Sequence, residues 1–485
     1  MRRLIRTASV VAAAMLGAGC ASGHQAPPQV VPTAARVATD TSPAAPLFDS
    51  LAQAAGLPQP MPAGAAFDAQ ANQSLAWIDV LRDTTLVSLV RTALRDNRDI
   101  HGALGRIAEY RALAGVARSA LLPEVDATAS ASRNRIVFAG TPVEYTAVGA
   151  AASLQWELDF WGRIRKGVAA AEADQAARAD DERALVLTLV ADVSTSYLAL
   201  LEARENRDIA ERTLTSRQST VGLARQRYTQ GVISELDVRQ FEADVAGAAA
   251  SVAQFTRDAS TAEHQLALLL GRAPGGHVGG GTLDSAVAAV AVPDSVPVDL
   301  LLRRPDVASA ARSLEAEQAR YGVTRASALP RIMITGQYGW QAPSANNIFT
   351  SQNEIYTAQV GLSVPIFTGG RISSNLAAGR ARIEQARARY EQSVLTALNE
   401  AADALVGVRT GRDQLSAQAA QAAALRDAFR LAERRYEGGI ASYLEVLDAQ
   451  RGLFAAELAL TQSRRNYLEA TVRLYQALGG RWDIK

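Results

Sequence analysis

Few residues in this chain combine the type and the spacing that chemistry requires. The four histidines, His24, His101, His264 and His277, stand apart, and none has a second ligand at metal-site spacing. The single cysteine, Cys20, has no partner for a disulfide and falls within the first 20 residues, which read as a leader. GxSxG, HExxH, GxxxxGK[ST] and GxGxxG are all missing, so no nucleophile elbow, zinc helix or phosphate loop is encoded. The carboxylates recur at helical spacing beside arginines, as on solvated helix faces. With 50 basic and 49 acidic side chains, net +1, the chain offers no field for nucleic acid. These observations argue against an enzyme and against any cofactor or metal.

Covalent attachment at Cys20 is the one reaction the sequence does suggest. Arg2, Arg3 and Arg6 precede an apolar run over 8–18, then Gly19 and Cys20, the layout of an export signal. A signal that ends in small residues and a cysteine resembles the bacterial lipoprotein box. Here Gly17 stands where the leucine usually is, with Leu16 before it. The expectation is a signal peptide over 1–20 and a lipid on Cys20, N-palmitoyl and S-diacylglycerol. Residues 21–75, rich in Pro, Ala and Gly, read as an extended leader. Beyond the signal no uninterrupted apolar run reaches 18 residues, so any membrane segment has to be built from strands.

The body is a tandem duplication. RYTQGVISELDV at 227–238 returns as RYEGGIASYLEV at 435–446, an offset of 208 that also relates Gly271 to Gly479. Each copy joins two helical patterns through a tight turn. Gly231 or Gly439 occupies the left-handed position that ends a helix, and Ser234 or Ser442 is placed to cap the next one, with Asp237 or Glu445 three residues on as in a capping box. A repeat this long is not a solenoid unit; it predicts two similar halves packed together.

Within each half the period changes from 3.6 to 2 and back. In the first repeat, 76–271, helices break near Asn97 and end before Pro123; strands follow at about 124–135 and 146–160 with a loop at 136–145, then a long helix over 162–228 and another over 235–270. Residues 272–304 read as a linker. The second repeat, 305–480, predicts a helix, strands at about 331–341 and 356–367, a long helix over 371–436 and a shorter one over 442–478, before a tail at 481–485. Helices near 65 residues would be roughly 100 Å long, rods rather than the elements of a compact domain. Four strands of about 10 residues, with Tyr145, Trp156, Phe160, Tyr338, Trp340 and Tyr356 near their ends, fit an outer-membrane barrel with aromatic girdles. Four strands cannot close, and lipid tolerates no open edge, so two chains would supply eight strands or three chains twelve.

Together these features resemble the TolC-like outer-membrane efflux channels, specifically the OprM/NodT lipoprotein branch, the outer-membrane factor of resistance-nodulation-division pumps. LDFWGR at 158–163, LRRPD at 302–306, LGGRW at 478–482 and the two turns carry the resemblance over nearly all of the mature chain. It implies a mainly α fold with a membrane β-barrel contribution: duplicated long antiparallel helices plus four strands per chain, and a homotrimer forming an α-barrel tunnel and a 12-stranded β-barrel, with an equatorial region from linker and termini. It implies a passive conduit exporting small molecules such as drugs, lipid-anchored in the outer membrane, partnered by a periplasmic adaptor and a proton-driven inner-membrane pump of the resistance-nodulation-division class. The rods alone would also suit a periplasmic helical adaptor or scaffold, which has no use for aromatic-ended strands. Gly231, Ser234, Gly439 and Ser442 mark the expected adaptor-contact tips. By the same resemblance Leu444 and Asp448, four apart on one helix face, form the periplasmic gate. Leu236 and Gln240 stand at the first-repeat positions, so the turn itself does not demand the acid.

Overall fold

The computed structural model describes residues 83–276, 278–284, 301–440 and 442–480. The signal peptide and Cys20 expected over 1–20, the leader over 21–75, the 285–300 part of the linker and the tail over 481–485 lie outside the described residues. Contacts divide the chain into two units, 1–61 with 275–277 and 62–274 with 278–485. All elements below belong to the second.

Seven helices and four strands are described: α1 (Thr84–Asp96), α2 (Arg98–Ser119), β1 (Glu124–Phe138), β2 (Thr141–Leu158), α3 (Arg163–Thr229), α4 (Glu235–Leu269), α5 (Pro305–Ala326), β3 (Arg331–Ala342), β4 (Glu354–Ser363), α6 (Arg371–Glu437) and α7 (Tyr443–Ala477). Asp83 caps α1 by accepting from the amides of Thr85 and Leu86. Asn97 ends α1 and starts α2, its Oδ1 accepting from the amides of Asp99 and Ile100 while Nδ2 donates to the Leu269 carbonyl at 2.9 Å. The break at Asn97 is therefore a capped junction that also holds the end of α4. Gly271 follows with φ of +68°, and a Cβ there would collide with the Asp96 carbonyl.

The core gathers where α1, α3, α4 and α7 meet, around Leu86, Val90, Val193, Leu200, Leu266, Leu468 and Val472. One window of α3 is as apolar as a membrane span, with mean hydropathy 1.8, and 56% of it is buried inside the chain. It is core, and its one acid, Asp192, leaves the apolar run interrupted as expected. A second cluster joins α6 and α7 to Leu301 through Ala404, Val408 and Leu474. Arg304 ties the same corner, reaching Asp306 at 2.8 Å, Glu400 at 2.6 Å and the Ala477 carbonyl at 3.2 Å. This is the work of the LRRPD motif: an arginine 8% exposed, satisfied from three elements.

All four strands form one antiparallel sheet in chain order. Its outer strands, β1 and β4, each keep one edge without a partner among the described residues. Three expectations need correction. The loop placed at 136–145 is strand: β1 runs to Phe138 and β2 starts at Thr141, with only Ala139 and Gly140 turning the chain at φ of 47° and 81°. Alternation had faded there because both faces of the ribbon change character, not because the ribbon ends. The fourth strand covers Glu354–Ser363 rather than 356–367. The capping box forms at Ser234 and Asp237, but the Ser442 side chain makes no cap bond, and Glu445 lies 3.7 Å from Arg435 instead.

Candidate functional site

Register sorts the sheet into two faces. Paired residues point to the same side, so Ala127, Ala152, Tyr338 and Tyr356 share one face, as do Trp156, Ile334 and Val360. Asp126, Ser153, Gln337 and Thr357 share the other, with Glu124, Gln155, Thr335 and Gln359 two residues below. One face is thus apolar and bears aromatics; the opposite is lined by amides, hydroxyls and, on β1, carboxylates. That alternation is the signature of strands with lipid on one side and water on the other. Of the aromatics read from sequence, Trp156, Tyr338, Trp340 and Tyr356 lie on the apolar face. Tyr145 does not: its partner is Asn134, on the polar side's continuation.

At the base of the sheet the LDFWGR motif turns strand into rod. Asp159 accepts from the amides of Ile164 and Arg165 at 2.9 and 2.8 Å, and these bonds outweigh its burial, holding the carboxyl below its ordinary value. Arg163 grips Glu157 at 2.7 and 2.9 Å, and the Trp161 indole donates to the Pro330 carbonyl at 2.8 Å. The last contact pins the first strand pair to the second.

At the other end of the rods lie the two turns. Gly231 and Gly439 have φ of 74° and 72°. Beside them Val232 N donates to the Arg227 carbonyl and Ile440 N to the Arg435 carbonyl, both at 2.9 Å, the closing bond of a Schellman turn. Val232, Leu236, Ile440 and Leu444 are 66–77% exposed. Leu444 and Asp448 lie together on an exposed face of α7, while Val446, Leu447 and Gln450 turn inward. Leu444 therefore does not pack into a neighbouring helix of its own chain.

The tips are joined by a cluster that sequence reading missed. The Asp244 carboxylate accepts from Arg451 at 2.8 Å and from the Tyr443 hydroxyl at 3.2 Å, and Arg217 donates to the Asp244 carbonyl at 2.8 Å. The Tyr443 ring rests on Phe241 with centroids 3.4 Å apart, and Arg227 lies 4.3 Å over the Tyr436 ring. Burial, then the Asp244 charge, pushes the Tyr443 hydroxyl above its ordinary value. The signal was in the duplication: at offset 208, Tyr443 matches Glu235, Arg451 matches Ala243 and Asp244 matches Gly452. The residues that bond across the copies are those at which the copies differ.

Two segments of the chain, 89–272 and 296–480, match the family model "Outer membrane efflux protein". The chain belongs to this family. Its double match is the duplication seen at offset 208. The chain is 34% identical to the outer membrane protein OprJ of Pseudomonas aeruginosa over 461 residues, 91% of each chain. It is 34% identical to the toluene efflux pump outer membrane protein TtgF of Pseudomonas putida over 419 residues, 84% of this chain and 86% of the other. The solved structure of the outer-membrane channel OprN superposes with a TM-score of 0.79 at 32% identity, over 84% of this chain and 92% of that one. Membership makes this protein the outer-membrane channel of a tripartite efflux system, a trimer whose rods form an α-barrel tunnel and whose sheets close a 12-stranded barrel. The unpaired edges of β1 and β4 are then the seams between protomers. The adaptor reading finds no support.

Proposed function

We propose that the helical end is the regulated end of this channel, with Leu444 and Asp448 as its gate. What carries the reading is their shared, exposed position on α7, two turns of helix at most from a tip whose own serine cap is not made. About a threefold axis each side chain recurs three times. The leucines form an apolar constriction that water leaves readily, and converging carboxylates require cations or water between them. The Asp244 cluster ties this tip to the first-repeat tip, so opening has to carry the first hairpin along or break the bonds of Arg451 and Tyr443. Replacing Leu444 by alanine and Asp448 by serine raises single-channel conductance in planar bilayers and weakens cation preference. Unchanged conductance in intact trimers would return both residues to a structural role.

The channel works as a passive conduit for small molecules such as drugs, energised by an inner-membrane pump of the resistance-nodulation-division class through a periplasmic adaptor. The adaptor docks on the tips, Gly231 to Ser234 and Gly439 to Ser442, where exposed Val232 and Ile440 give it apolar purchase. A β-branched residue at Gly439 strains the left-handed turn; full export by such a variant would exclude the tip as the docking point. Cys20 carries the lipid that adds a second attachment to the barrel's own. Labelled palmitate marks the wild type and not Cys20→Ser; equal labelling refutes the anchor.

A further inference from the structure

The β1–β2 ribbon outruns the rest of the sheet. Pairing of β2 with β3 ends at Val148 and Ala342, but β1 and β2 continue from Ser132 and Ala147 to Phe138 and Thr141, seven further pairs. At ~3.4 Å per residue the projection is about 24 Å long. The second hairpin has no such extension: after Ala342 its connection folds through two short 3-10 turns, and Phe349 comes back to within 5.3 Å of Trp340.

Along the projection the two faces exchange character. Within the sheet, the side of Asp126, Thr128 and Ser130 is polar and the side of Val125, Ala127 and Ala129 apolar. Past Val148 the formerly polar side carries Tyr145, Ile136, Val143 and Phe138, which are 44%, 48%, 44% and 74% exposed. The formerly apolar side carries Arg133, Arg135 and Glu144, with Arg133 2.9 Å and Arg135 3.7 Å from the Glu144 carboxylate. Ser132, Asn134 and Thr141 share the side of Tyr145, Ile136 and Phe138, and Val137 and Pro142, next to the turn, lie on the charged side. The charged side suits water, so the apolar side is the one that needs a cover. A two-stranded ribbon is marginal by itself.

We infer that the cover is the same face of the other two protomers. The three ribbons converge over the outer mouth as an apolar collar, a second constriction at the end opposite the gate. The apolar side continues the face that lines the water-filled interior, so in a closed barrel threefold symmetry turns the three copies toward one axis. Twelve strands spaced ~4.8 Å and tilted ~40° give a barrel radius of about 12 Å. A ribbon of about 24 Å is long enough to reach the axis. The inference rests on the trimeric barrel and is independent of the gate at Leu444 and Asp448.

Phe138→Cys in the full-length chain, in intact outer membranes, tests it with a short bis-maleimide; the wild type, whose only thiol is Cys20, is the control. Cross-linked dimers and trimers on denaturing gels are expected. Free labelling of the new thiol by a bulky maleimide without cross-links, or labelling only after detergent removes lipid, overturns the convergence. A second variant, Ile136→Ser with Phe138→Ser and Val143→Ser, is expected to raise conductance at least twofold in trimers of normal mass. Cross-links with unchanged conductance in that variant overturn the constriction.

Discussion

The two rods are copies of equal length, 67 residues each, beginning at Arg163 and Arg371, yet their surroundings differ. Twenty-two residues of α3 are buried against eight of α6. Matched positions make the contrast sharper: Leu198 is 1% exposed and its counterpart Val406 61%, Val190 is 1% exposed and its counterpart Leu398 37%. The cause is topological. Among the described residues α3 is packed by α1, α2, α4, α5 and α7, whereas α6 packs mainly against α5 and α7. Among the described residues α3 finishes its core inside the chain and α6 does not, and in the trimer we expect the apolar positions of α6 to finish theirs against another protomer. A tunnel wall built from three chains needs such a division.

The largest effect should separate the rods. Leu198→Ala removes a buried side chain and leaves a cavity, lowering the chain's stability by about 3 kcal/mol, read as an earlier denaturant midpoint at every protein concentration. Val406→Ala should leave that midpoint within about 0.5 kcal/mol and instead make trimer dissociation occur at lower detergent or denaturant. Equal effects at the two positions would break the comparison.

Much of this was legible in the sequence, for physical reasons. Pro123 and Pro330, the glycine turns and the change of period fixed which stretches are rod and which are sheet, because those signals act within a few residues. The 136–145 segment was misread since a ribbon whose faces swap loses its alternation while keeping its pairing. The missing cap at Ser442 was equally hidden: spacing allows a box at both turns, but Glu445 sits by Arg435 in the second. The Asp244 cluster bridges residues some 200 apart, and sequence spacing says nothing about such a meeting until the two copies are laid side by side.

A smaller effect belongs to the segment held against α3 at Tyr197. The Tyr197 hydroxyl donates to Asp83 at 2.7 Å and accepts from the Gly281 amide at 3.1 Å. Burial and the Asp83 carboxylate push it up to about 12 from an ordinary value of 10.0. In that interval the unfolded chain loses its phenolic proton while the folded chain keeps it. Its contribution to stability is therefore complete below pH 10 and is lost as the pH rises toward about 12. Tyr197→Phe should flatten this alkaline loss in thermal melts; an unchanged slope would show that the hydroxyl titrates freely.

The smallest contrast lies at the tips. Ser234→Ala removes one half of a formed capping box and should lower stability by about 1 kcal/mol. Ser442→Ala removes no cap bond and should change it by less than about 0.5 kcal/mol. A reversal of that order in denaturant melts would mean that the second tip, not the first, is the firmly held one, and would weaken its assignment as the moving side of the gate.

The claim that α6 is completed by other protomers is tested most directly by the mass of the detergent-solubilised particle carrying Val406→Asp, measured by light scattering. The account predicts a fall from three chains to one with helix content retained, because a carboxylate placed on that face cannot be buried in the subunit contact. A particle that keeps the mass of three chains would contradict it.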